Sequence, residues 1–289
     1  MDKRNKIAMT IVSVTVAVVL AVILVQNGLV YLEEYVHRYE YDKLTKSSWK
    51  SGKTTITFLD GGTLKVQGKG QMQNYIPYDE QGIFPPNPWD HILWIYKRWS
   101  VTALVIEEGV SHIGSYAFSD FPTAMGPIVI PGSVRSIGEG AFLGSNLTYI
   151  DVAEDNPNYS SIDGVLFSKD KTRLIQYPAN KKNTEYTIPY DVTFIEELAF
   201  LNCENLVSIT IHSRVTSVGK RTFGGCQNLT SIIIHNPVPP QIRNGTFDYY
   251  GGYSRSDSVH LFVPANSTNA YRDAWPEFNY IDTITATYD

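Results

Sequence analysis

The chain has 289 residues, 43% hydrophobic and only 18% charged, a balance that excludes an intrinsically disordered protein. Its 24 basic and 29 acidic residues leave a net charge of −5. The dense row of Lys and Arg that phosphate backbones require is absent, so nucleic acid is not an expected partner. Two cysteines are too few for a disulfide framework.

Ile7 to Val25 runs 19 residues without a charge. As a helix it would span ~28 Å, close to the hydrocarbon thickness of a bilayer. Lys3, Arg4 and Lys6 precede it, which orients the N-terminus to the cytoplasm and the rest outside. A signal peptide cleaved after Val19-Leu20-Ala21 is the rival. The run is long for one and continues past that point, so an uncleaved anchor is expected: residues 1–28 are read as cytoplasmic tip and transmembrane helix. The expected localisation is a single-pass membrane protein with its C-terminal domain outside the cytoplasm. Residues 29–48 follow as a juxtamembrane stalk, with Leu29, Leu32, Val36 and Tyr39 at helical spacing.

Residues 49–100 read as an N-terminal cap. Thr54 to Phe58 and Thr63 to Val66 alternate about Asp60-Gly61-Gly62, which predicts a β-hairpin. Ser51-Gly52-Lys53-Thr54 ends like a phosphate-binding loop, but the first glycine of that motif falls on Ser47, and a strand follows where a helix is needed. Tyr75 to Trp99 is dense in aromatics and Pro, including Pro85, Pro86, Pro88, Trp89 and Trp94. It suits the apolar end of a stacked array, or a set of ligand-binding aromatics.

From 101 to 263 the chain repeats. Ser136-Ile137-Gly138-Glu139-Gly140-Ala141-Phe142 recurs as Ile113/Phe118, Ile137/Phe142, Ile162/Phe167, Ile195/Phe200, Val218/Phe223 and Ile242/Phe247, at Phe-to-Phe steps of 24, 25, 33, 23 and 24. A fixed period of this size marks supersecondary units that bury their apolar faces only by stacking. Each copy carries a short strand with alternate apolar residues, such as Ile128/Ile130, Ile209/Ile211 and Ile232/Ile234. Strands recurring once per period predict a parallel sheet along one side. The glycine after the Ile (Gly114, Gly138, Gly219) is Asp163, Glu196 and Arg243 elsewhere, so a left-handed backbone is not obligatory there. The long step holds an inserted hairpin, Gly164 to Phe167 and Arg173 to Tyr177 about Ser168-Lys169-Asp170-Lys171. Residues 264–289 form a C-terminal cap and tail, with a helix over Asn266 to Phe278, an N-cap at Ser267 or Thr268, and an inward stripe of Tyr271 and Trp275.

S-I-G-E-G-A-F, then L-x-x-I-x-I, then P-x-S-V resembles the BspA-type leucine-rich repeats of bacterial surface proteins. The Asp155-Asn156-Pro157-Asn158-Tyr159 run leading to Val165-Leu166-Phe167, the Val263-Pro264-Ala265 start of the terminal cap, and the segment Trp49 to Trp99 share the likeness. Departures are Asp120-Phe121-Pro122 for the usual Gly-Cys turn, and His212 and His235 where Pro131 and Pro189 keep proline. The fold class is thus a mainly β leucine-rich repeat solenoid with a β-hairpin and aromatic N-terminal cap, a helical C-terminal cap and an N-terminal transmembrane helix. The resemblance implies an extracytoplasmic binding or adhesion protein and carries over no catalytic residue.

His212 and His235 stand one period apart and could face a metal, but polar exits from two strands are the ordinary reading. Asp151, Glu154 and Asp155 lack a Ca²⁺-loop pattern. Asn146 and Asn228 head glycosylation-type triplets that belong to the repeat itself. Cys203 and Cys226 are 23 apart at equivalent places; stacking brings them about 4.8 Å from each other, as two buried thiols or a disulfide. No H-E-x-x-H, G-x-S-x-G or Cys/His nucleophile pattern occurs, so neither enzyme activity nor a cofactor is expected. The residues between inward strand positions form an outward row: Val105, Val129, Asp151, Thr187, Thr210, Ile233 and Phe262. Beside its end lies the loop from Tyr249 to Ser258, whose Tyr249, Tyr250 and Tyr253 resemble adaptable binding residues. Row and loop are the candidate contact surface for a protein or glycan ligand outside the cytoplasm. The alternatives are a carbohydrate-binding module and a passive envelope scaffold.

Overall fold

The computed structural model describes residues 47–75 and 100–284, apart from positions 60, 120, 122, 124, 244, 248–258 and 277. The expected membrane helix, the stalk up to residue 46, the aromatic segment beyond Tyr75 and the Tyr249–Ser258 loop lie outside the described residues. No helix among the described residues is long and apolar enough to cross a membrane.

Strands β1 (Ser47–Ser51), β2 (Thr54–Leu59) and β3 (Thr63–Gly68) open the array, followed by β4 (Gly70–Gln71). The β2–β3 pair is the expected antiparallel hairpin, turned by Gly61 and Gly62, both at φ +82. The next copies contribute β5 (Ala103–Ile106), β6 (Val110–Ile113), β7 (Ile128–Ile130), β8 (Ser136–Ile137) and β9 (Ile150–Val152). The insertion forms β10 (Tyr159–Ile162), β11 (Val165–Ser168) and β12 (Arg173–Gln176). Regular copies resume with β13 (Glu185–Thr187), β14 (Phe194–Ile195), β15 (Ser208–Ile211), β16 (Ser217–Val218), β17 (Ser231–Ile234) and β18 (Gln241–Ile242). β19 (His260–Pro264), helix α1 (Thr268–Ala274) and β20 (Tyr280–Ile284) close the chain.

Two parallel ladders run along the solenoid. The front ladder comprises β3–β5, then β7–β9, then β13–β15–β17–β19–β20; the back ladder comprises β4–β6–β8, then β12–β14–β16–β18. The front ladder is the sheet expected from alternation. The back ladder was not foreseen: its strands are the Ser-Ile steps of the core motif, too short to show a period. Between the ladders lie the apolar residues, with Ile128, Ile130, Ile209, Ile211, Ile232 and Ile234 all buried.

The core phenylalanines stack along the axis. Phe118 and Phe142 lie 5.8 Å apart at 15°, Phe200 and Phe223 5.5 Å apart at 29°, and Phe223 and Phe247 5.4 Å apart at 18°. The glycine after the Ile has no left-handed backbone. It is there because the rungs approach closely: a Cβ on Gly114 would sit 1.8 Å from Gln73 O, and one on Gly138 2.3 Å from Ser115 N. The left-handed position instead falls two residues before each Phe, at Tyr116, Gly140, Leu198, Arg221 and Gly245.

The third copy departs from the sequence expectation. Asp163 and Gly164 both have positive φ (54 and 74), the turn that folds a strand back on itself. Ile162 therefore pairs with Val165 across an antiparallel hairpin, and Ile162/Phe167 is not a repeat. Leu174 takes the Ile place, paired in parallel with Ile195. Tyr177 takes the Phe place: its N–H donates to Ala199 O at 2.8 Å, as Phe118 N–H does to Ala141 O, and its ring stacks on Phe200 at 5.0 Å. The Tyr177 hydroxyl is buried without a hydrogen-bond partner among the described residues, and burial raises its pKa. Tyr177→Phe should therefore cost nothing or add about 1 kcal/mol, read as an unchanged or raised urea midpoint. A clear loss would show that the hydroxyl is satisfied.

At the C-terminal end the helix is shorter than the expected Asn266 to Phe278, covering Thr268–Ala274 with Trp275 at its C-cap, and a strand is added after it. Helix α1 starts after Ser267, whose side chain makes no cap bond. Tyr271 and Trp275 are buried; the Tyr271 hydroxyl donates to Asn236 O at 2.7 Å and the Trp275 indole to Pro240 O at 3.1 Å. Past the helix, β20 pairs in parallel with β19.

Candidate functional site

The outward row exists, in three pieces, on β5, on β7–β9 and on β13–β19, which lie in separate sheets. Val129 lies opposite Asp151, and Val105 opposite Lys65; Thr187, Thr210, Ile233 and Phe262 are successive partners on β13, β15, β17 and β19. Between Asp151 and Thr187 the row is interrupted, because β9 and β13 belong to different sheets and the β10–β11 hairpin stands at the gap. There Ser161 Oγ–H donates to Asp151 Oδ1 at 2.6 Å and Val152 N–H donates to Ser161 Oγ at 3.2 Å. Val105 and Val129 are 43% and 55% exposed. Asp151 and Thr187 are exposed, and Thr210, Ile233 and Phe262 half-buried. Next to Phe262, the His260 and Tyr280 rings stack at 4.7 Å and 7°, and His260 Nδ1 meets Asp282 at 3.3 Å. Tyr249, Tyr250 and Tyr253 lie outside the described residues.

At the corner between the ladders, Tyr190 is 64% exposed. The Arg214 guanidinium lies over its ring at 5.2 Å and meets Asp191 at 3.7 Å. His212 stands beneath, 5.0 Å from the same ring. Sequence reasoning missed this trio, although the one-rung offset between Tyr190 and His212 was available to it.

His212 has no lone pair to give a metal. Its Nε2–H donates to Pro189 O at 2.6 Å, and its Nδ1 accepts from Arg214 N–H at 3.1 Å. It replaces a corner proline by bonding to the backbone of the adjacent rung. Burial, outweighing the bond to Pro189, lowers its pKa below the ordinary 6.5. The unfolded chain then takes the proton first, so this histidine contributes full stability above about pH 6.5 and loses it as pH falls toward the folded value. Wild-type melting temperature should drop more steeply from pH 7 to 5 than that of His212→Gln; parallel profiles would refute the assignment.

On the back ladder, His112 Nε2–H donates to Asn74 Oδ1 at 2.8 Å, and Ser136 Oγ–H points to Nδ1 at 2.7 Å. The tautomer follows from Asn74 Oδ1, which also accepts Ser115 N–H. His112 and Ser136 are register partners on β6 and β8, so the chain of bonds is a side-chain ladder. Cys203 and Cys226 are buried free thiols, with Cys226 Sγ–H donating to Phe200 O at 3.0 Å and burial raising the Cys203 thiol pKa. Asn228 Nδ2 donates to Glu204 O at 2.7 Å. Asn205, which heads no glycosylation triplet, bonds Lys181 O in the same way. Among the described residues no three His, Cys, Asp or Glu side chains converge as a metal site.

The sequence pattern of the BspA type leucine rich repeat region matches residues 95–185 and 176–271, in six copies. The chain belongs to that family. Within the repeated motif Ala141 and Phe142 are buried, whereas Ser136 and Glu139 are exposed. The BspA-type array is similar to solved structures of other leucine-rich repeat proteins. One from Eubacterium ventriosum is 18% identical, with 82% of this chain and 85% of that chain covered and a TM-score of 0.36. A leucine rich cell surface protein from Faecalibacterium prausnitzii is 16% identical over 83% and 95%, with a TM-score of 0.46. The pneumococcal vaccine antigen PcpA is 14% identical over 84% and 100%, with a TM-score of 0.35. No curated protein matches the chain.

Proposed function

We propose that this BspA-type protein is a non-catalytic binding module held outside the cytoplasm by residues 7–25, and that a protein partner lies along the front ladder. The observation that carries the reading is the exposure of Val105 and Val129, 43% and 55%, at outward places on β5 and β7. β-Branched side chains suit sheets, but adjacent exposed ones leave apolar area that a partner gains by covering. Sheet geometry holds both in place, so little ordering cost falls on binding. The glycan reading has less support: most described aromatic rings pack inside the solenoid, with Tyr149, Tyr190 and Tyr280 the exposed tyrosines.

The full chain in lipid nanodiscs, screened against protein and glycan arrays, tests the proposal. It should stay with the lipid through an alkaline wash and capture protein ligands. The double variant Val105→Asp/Val129→Asp should weaken capture roughly tenfold or more with a melting temperature near wild type. Binding confined to glycans, or undiminished in the double variant, would overturn the protein reading; release by the wash would overturn the anchor.

A further inference from the structure

The buried residues form two main cores that meet at β11. The residues from Ile56 to Val152 belong to the first and those from Ile188 to Ile281 to the second, except Leu143, Leu198 and Leu201, which form a small third cluster linking the two sides. The inserted meander lies between them with its side chains divided. Tyr159, Leu166 and Ile175 pack into the first core; Ile162, Val165, Phe167 and Leu174 into the second. Val165, Leu166 and Phe167 are all fully buried, so β11 is a wall covered on both faces.

Both backbone ladders break at this wall. The front ladder stops between β9 and β13, and the back ladder between β8 and β10. Much of the linkage there is by side chains. Asn156 Nδ2 donates to Pro131 O and Val134 O, and the Tyr159 hydroxyl accepts Ile137 N–H. The aromatic stack is interrupted too, resuming at Tyr177 and Phe200. A repeat array is ordinarily coupled rung to rung by repeated nearest-neighbour contacts. The front ladder also passes from one sheet to another between β5 and β7, where the back ladder runs on through β6 and β8; only at this wall do both break together.

We propose that the array consists of two separately cooperative units, joined at the β10–β12 wall, rather than one chain of equivalent rungs. Each unit has its own core and carries its own half of the outward row, Val105 to Asp151 on one and Thr187 to Phe262 on the other.

Leu166 and Phe167 are adjacent on β11 yet serve opposite cores, which gives the test. Native-state hydrogen exchange is measured by mass spectrometry on the full chain in low urea, where cooperative units open as blocks. Leu166→Ala should lower protection across residues 101–152 by roughly tenfold or more and leave residues 188–263 within about twofold of wild type. Phe167→Ala should do the reverse. Loss in both halves for either variant, or loss that fades rung by rung through the wall, would overturn the proposal. If an alanine variant fails to fold, Leu166→Val and Phe167→Leu give the same contrast at smaller amplitude.

Discussion

Replacing Phe200 by alanine should remove about 3–5 kcal/mol of stability, among the largest effects of any single truncation in the array. The ring is fully buried and touches Tyr177 at 5.0 Å on one side and Phe223 at 5.5 Å on the other. The backbone around it is pinned by Phe200 N–H to Thr222 O at 3.0 Å, so neighbouring rungs cannot close over the void. Urea unfolding gives the number. A loss below about 1.5 kcal/mol would mean that the stack relaxes into the cavity and that ring contact is not what couples the rungs.

Asn156→Ala should be nearly as costly for a different reason. This fully buried amide donates to Pro131 O at 2.7 Å and Val134 O at 3.0 Å, and its Oδ1 accepts Asn158 N–H and Tyr159 N–H at 2.9 Å each. Alanine strands these backbone groups away from water, at about 3 kcal/mol in total. Asn156→Asp keeps both accepted bonds but turns a carboxylate toward two carbonyl oxygens. It should be at least as damaging at neutral pH and should recover in part on acidification, when the acid can donate. The urea midpoints of both variants at pH 7 and 5 decide the matter. An alanine variant within about 0.5 kcal/mol of wild type would show that the amide is dispensable.

Where the sequence was legible, the reason is that a repeated physical demand writes a repeated residue. Ile113, Ile137, Ile195 and Val218 face inward at the equivalent place of their rungs, and Phe118, Phe142, Phe200 and Phe223 occupy the same slot, so period and side-chain direction follow together. The third copy misled because a hairpin also alternates. Ile162 and Phe167 reproduce the Ile-to-Phe spacing by chance, and only the conformations of Asp163 and Gly164 separate a hairpin from a rung. The true occupant of the slot, Tyr177, follows Leu174 by three residues instead of five, a contraction that pattern counting does not anticipate. The left-handed position was hidden because Tyr116, Leu198 and Arg221 adopt it as well as Gly140 and Gly245. The outward row was legible strand by strand, but its breaks were not: continuity depends on partners far along the chain. Tyr190, Arg214 and His212 converge only once the rungs are stacked.

The C-terminal closure limits how this chain could lengthen by duplication. The Tyr271 hydroxyl and Trp275 indole are committed to the carbonyls of Asn236 and Pro240, and Phe247 meets Phe278 edge-on at 4.7 Å. A copied unit inserted after Pro240 would separate both donors from their acceptors. One inserted between Phe200 and Phe223 would meet a neighbour of its own kind on each side. An added unit is therefore accommodated at interior rungs, whereas the last rung and its lid are tied to each other and would have to be copied together.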